Sequence, residues 1–140
     1  MSQAPLTQPL ARYSHVRQVG ELVFVAGQGC RDAKTDTYAG LTLAPDGSIL
    51  AYDIAEQTVG VLANVEQALQ SIGLDRRAIV DVNVFLTDMR DFVAMNKVWN
   101  DFFRDVEPPP TRTTVAVAKL PGHNFVEMKT IAAKKPSARA

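Results

Sequence analysis

No second cysteine, no cluster of histidines, no block of like charge and no long apolar run occurs in this sequence of 140 residues. Each shortage closes off a class of protein. A lone cysteine, Cys30, cannot make an internal disulfide, which fits a reducing compartment. Two histidines far apart in sequence and scattered carboxylates lack metal-ligand spacing, so neither a metal nor another cofactor is expected. The glycine patterns that cradle phosphate, GxGxxG and GxxxxGK, are both missing, and Gly27-Gln28-Gly29 is only a fragment of one. Fifteen basic and fifteen acidic side chains cancel, which removes the general electrostatic pull that nucleic-acid binding uses. No apolar stretch approaches the ~20 residues of a membrane span, and MSQAPLTQPLARYSH has neither the basic start nor the apolar core of a secretory signal. The expectation is a cytoplasmic protein with no nucleic-acid or membrane partner.

What is present suits one globular domain. With 46% hydrophobic residues the chain can fill a single core and is too short for two. Residues 1–12 and 134–140 read as flexible ends around a domain at 13–133. Gly20-Glu21 separates two valine-rich runs as a hairpin turn would, and Leu22 to Val25 reads as a buried strand. Pro45-Asp46-Gly47 marks a second turn, between LTL and SIL. From Asp53, a plausible N-cap with Glu56 completing a capping box, Ile54, Thr58, Val61, Leu62, Val65, Leu69 and Ile72 repeat at helical spacing as far as Gly73; Gln57, Glu66, Gln67 and Gln70 supply a polar opposite face. IVDVNVFL reads as a central strand. A second helix begins at Asp88 or Asp91 and must stop before Pro108-Pro109-Pro110. Two more strands, TRTTVAVAKL and FVEMKTIAA, flank the turn Pro121-Gly122-His123-Asn124. This order predicts an α+β domain with both helices on one face of a mixed sheet. The bare face predicts a homo-oligomer.

Two residues invite a chemical reading. Arg112 opens a strand that should be buried, and its planar fork of donors suits a carboxylate, with Thr111, Thr113 and Thr114 as flanking hydroxyls. An ordinary salt bridge is the alternative. Glu127 sits between Val126 and Met128, where a carboxylate near a cleft could hold or deprotonate water, or simply face outward. Asn96 and Tyr13 are ambiguous in the same way. Cys30 reads as a small packed residue, since no local signature pairs it with a histidine. Gly27 and Gly29 permit a sharp strand exit or a close approach of backbone to ligand.

YSHVRQVGELVFVAGQ, DIAEQTVGVLANVEQAL, VNVFLTDMRDFVAMNKVWNDFF and PPPTRTTVAVAKLPGHNFVEMKTIA together resemble the reactive-intermediate deaminase family (RidA, YjgF/YER057c/UK114) over residues 13–133. The resemblance implies a chorismate-mutase-like fold and a homotrimer whose sheets line a barrel, with active sites between subunits. It implies that Arg112 binds the substrate carboxylate and Glu127 positions the attacking water. Tyr13, Gly27, Asn96 and Thr114 join them in the pocket. Housekeeping members usually carry serine at Ala26 and cysteine at Thr114. The YSH start, Arg31, the PDG turn and RTTVAV are more similar to the 2-aminomuconate deaminase subgroup, and a dicarboxylate would call on a second cation, Arg31 or Arg17. The activity so implied is release of ammonia from a small enamine or imine carboxylic acid. A housekeeping 2-iminobutanoate/2-iminopropanoate deaminase, or a non-enzymatic member binding metabolites, RNA or client proteins, are the alternatives.

Overall fold

The protein is described by a computed structural model covering residues 9–134. The expected flexible ends therefore lie mostly outside the described residues. Strands β1 (Val16–Val19) and β2 (Leu22–Gln28) form a hairpin closed by Gly20-Glu21, with Gly20 at φ 59°, where a glycine carries no steric penalty. Strands β3 (Leu41–Leu43) and β4 (Ile49–Tyr52) make a separate small hairpin around the expected Pro45-Asp46-Gly47 turn. Then follow α1 (Ile54–Gln70), β5 (Ile79–Leu86), α2 (Phe92–Phe102), β6 (Thr111–Ala116) and β7 (Val126–Ala133). The main sheet runs β1-β2-β7-β5-β6; only β5 and β6 are parallel. Both helices lie on one face, so the α+β expectation holds.

Helix α1 starts where Asp53 accepts from the Glu56 N–H at 3.1 Å. Half of the expected capping box is replaced, because the Asp53 N–H donates to the Gly40 carbonyl at 2.8 Å. Ile54, Thr58, Val61, Leu62, Val65, Ala68 and Leu69 bury the stripe facing β2 and β7. The helix ends in a Schellman pair: Leu74 N–H to Leu69 O and Gly73 N–H to Gln70 O, with Gly73 at φ 80°. Ile72 falls beyond the last turn and is exposed, so it leaves the stripe predicted for it. Gln57 reverses its prediction outright. It is fully buried, donating to the His123 carbonyl at 3.0 Å and accepting from the Phe125 N–H at 2.8 Å. It pins the turn before β7 to the helix.

Asp88 caps a short 3₁₀ turn (Met89–Asp91), and α2 follows it directly, burying Met95 and Trp99. Val23, Val25, Val82, Val84, Leu86, Val126 and Met128 supply the sheet's side of the core. Each such burial contributes about 1.5–3 kcal/mol against chain entropy. Two strand expectations need correction. Only Val23 and Val25 are wholly buried in β2, whereas Leu22 stays 45% exposed on the uncovered face. Strand β6 is the sheet's edge rather than a buried strand, and Val115 is 41% exposed there. Val19, Leu22, Val80 and Val115 leave the helix-free face with exposed apolar side chains.

Candidate functional site

Strand register divides the predicted residues between two faces. Side chains of paired residues lie on the same side of a sheet. Arg112 pairs with Val82, and Val82 with Thr130; both partners are buried beneath the helices. Glu127 pairs with Phe85 and alternates with the core residues Val126 and Met128, so it faces the opposite way. Within one chain, Arg112 and Glu127 cannot share a pocket.

Glu127 opens into a cavity of about 140 Å³ with Tyr13, His15, Gly27, Arg31, Tyr38, Asn64 and Asn124 among its walls. A register shift in β2 between Val25 and Gln28 turns Gly27 towards Glu127, and a β-carbon at Gly27 would lie 3.7 Å from Oε1. Asn64, on α1, donates to the carbonyls of Gly29 (2.8 Å) and Arg31 (2.9 Å), fixing the loop after β2. Arg31 pairs with Asp36 at 2.9 Å while lining the cavity. Burial pushes the Glu127 carboxyl up, and a hydrogen bond from Asn124 opposes the shift. Burial likewise pushes the Cys30 thiol up, which keeps it protonated and agrees with a packed residue.

Arg112 occupies the helix side of β6. Its guanidinium lies 4.9 Å from the Trp99 ring centre and 5.6 Å from that of Phe92, with Nη1 at 3.9 Å from the Met95 sulfur. Among the described residues no carboxylate pairs with it, so the salt-bridge alternative is not realised. Burial pulls its pKa below the ordinary value. Thr114 shares this face, two residues along. Its Oγ1 and the Oδ1 of Asn96, next to Met95 on α2, are both buried without a hydrogen-bond partner among the described residues. Orphaned polar atoms of this kind call for an explanation, and a ligand is one. Thr111 and Thr113 do not flank Arg112; alternation puts them on the other face, where Thr111 donates to Asp81 at 2.6 Å.

Tyr13, Gly27, Arg31 and Glu127 thus line one cavity, while Arg112 and Thr114 share the helix side of β6 and Asn96 lies on α2 next to Met95, which touches Arg112. Arg17, on β1, pairs with Phe24 of β2 and is not a wall of the Glu127 cavity, whereas Arg31 is. Sequence reading missed Asn124, Asn64, His15 and Gln57. Asn124 lies three residues before Glu127 in a turn already noticed, and that spacing was the available signal. Among the described residues no group of three metal-ligating side chains is found, and no helix is long and apolar enough to cross a membrane.

The endoribonuclease L-PSP family model matches residues 1–134. A RutC family protein of Pyrococcus abyssi is 36% identical over 128 residues, 91% of each chain. The 2-iminobutanoate/2-iminopropanoate deaminase of Dermatophagoides farinae is 30% identical, over 89% of this chain and 87% of its own. Among solved structures, E. coli TdcF with bound serine superposes with a TM-score of 0.79 at 27% identity, covering 93% of this chain and 94% of that one.

Proposed function

The chain belongs to the endoribonuclease L-PSP family, the RidA/YjgF family, and on that premise we propose that it is a hydrolytic deaminase releasing ammonia from a small enamine or imine carboxylic acid. The observation that carries this reading is Arg112: a partly buried guanidinium laid on aromatic rings, paired with no carboxylate among the described residues, on the same strand face as the unpartnered Thr114 hydroxyl. That is a socket for a carboxylate carrying a nitrogen nearby. The deaminase relative and the serine-bound neighbour point to the same size and class of ligand.

An enamine first takes a proton on carbon and becomes an iminium ion. Water then adds to the iminium carbon, losing a proton to Glu127. The resulting carbinolamine expels its nitrogen as ammonia once Glu127 has returned that proton to it, while the hydroxyl proton passes to solvent and a carbonyl remains. Arg112 orients the substrate, and Glu127 is suited to pass protons because burial raises its pKa above the ordinary carboxylate value. Because the two face opposite ways across the sheet, a complete site takes Arg112 from one chain and Glu127 from another. The uncovered sheet face supports the assembly that would do this, a homotrimer with sites between subunits. A single free cysteine is in keeping with a cytoplasmic setting.

The first substrate candidate is 2-aminomuconate, because Arg31 lines the Glu127 cavity and offers a cation to a second carboxylate. The 30%-identical deaminase favours a second reading, 2-iminobutanoate or 2-iminopropanoate. Ammonia release from freshly generated samples of both substrates separates them: the dicarboxylate should be faster, and Arg31→Ala should slow it alone. Absence of turnover on either substrate, in a protein whose Arg112→Ala variant behaves identically, would remove the deaminase reading.

A further inference from the structure

Asn124 stands against Glu127 in contacts that leave its amide one orientation. The Cys30 N–H can only donate, and it meets Asn124 Oδ1 at 2.8 Å; the Pro121 carbonyl can only accept, and it takes a bond from Nδ2 at 3.0 Å. With both ends assigned, Nδ2 is the atom that donates to Glu127 Oε2, at 3.3 Å. Gly29 packs so tightly on the amide that a side chain there would overlap it, which blocks movement to that side. Gln57 holds the adjoining residues His123 and Phe125 from the helix. We propose that Asn124 is a positioning residue for the reaction: it holds Oε2 of Glu127 and leaves Oε1, over Gly27, as the oxygen that meets the attacking water. The inference deepens the deaminase reading and rests on it for the identity of that water.

A donor to a carboxylate favours the ionised form, so Asn124 opposes the burial that pushes Glu127 up. Several titratable or charged groups face Glu127. They are Tyr13 and His15 from the segment before β1, Cys30, Arg31 and Tyr38 from the loop after β2, and Lys129 two residues along β7. On β5 its partner is the uncharged Phe85, and α1 contributes the uncharged Asn64. Among these neighbours Asn124 donates directly to the carboxylate.

The test titrates Glu127 by carbon-13 NMR of glutamate-labelled full-length protein, with Glu127→Gln for assignment, alongside the pH profile of ammonia release. Asn124→Ala should raise the Glu127 midpoint by about one unit, the effect of losing one hydrogen bond to an ionised group. The acidic limb of kcat should move by the same amount with KM little changed. Asn124→Asp keeps the shape and the acceptor for Cys30, so it serves if the alanine variant fails to fold. It sets a second carboxylate beside Glu127, and the upper midpoint of the pair should then exceed that of the wild type. A Glu127 midpoint unmoved in the folded variants, or a fall in kcat with the limb in place, overturns the proposal. Should the wild type turn over no enamine or imine, the deaminase reading fails separately, while the titration still decides whether Asn124 governs Glu127.

Discussion

Arg112 is a cation kept away from every described acid and laid on aromatic rings. Under the proposed function such a residue costs stability for the sake of binding, and removing it should show both effects. Arg112→Met should abolish turnover yet raise the urea midpoint by the equivalent of about 1 kcal/mol, because an uncompensated charge gives way to an apolar chain. Arg112→Lys keeps the charge and loses the fork and the stack. Its kcat/KM should drop at least about tenfold, chiefly through KM. Glu127 makes the complementary prediction. Its folded pKa lies above the ordinary 4.5, so the native state binds more protons than the unfolded one and stability falls as pH rises through the folded value. Glu127→Gln should therefore unfold at higher urea than the wild type at neutral pH, an advantage that vanishes below about pH 4. Both residues were legible in the sequence as polar groups in apolar strands. Their faces were not, because alternation tells which residues of one strand share a side, and only the pairing of Arg112 with Val82 and of Glu127 with Phe85 relates one strand to the next.

Among the elements, α1 was the most legible, since its apolar stripe, N-cap and terminal glycine agree. Gln57 escaped because residue type assigns a glutamine to solvent, whereas here each end of its amide serves a backbone group of the turn before β7. Gln57→Leu would leave the His123 carbonyl and the Phe125 N–H unsatisfied, and a loss of about 2–3 kcal/mol is expected by denaturant titration. The same variant should slow ammonia release, because the turn it loosens carries Asn124. Strand β6 was mistaken for a buried strand since its valines and alanines resemble core residues. It is an edge in the single chain, and Val115 is covered only if another chain lies there.

At the scale of the molecule, the helix-free face and the divided site lead to one experiment. Arg112→Ala and Glu127→Gln should each be inactive, but an equal mixture unfolded and refolded together should recover about one quarter of wild-type activity. That is the fraction of interfaces receiving an intact arginine from one variant and an intact glutamate from the other in random closed assemblies. No recovery in mixed assemblies would place both residues in one chain's site. The sequence pointed to an oligomer through a face with no helix to cover it; the strand pairings add that Arg112 and Glu127 lie on opposite faces of the sheet. Under the proposed intersubunit site, one such pairing makes dilution an inhibitor. With Arg112 and Glu127 turned away from each other across a single sheet, a chain separated from its neighbours carries every group the reaction requires and can bring no two of the decisive ones together. Specific activity should then decline as the enzyme is thinned, with no substrate analogue present.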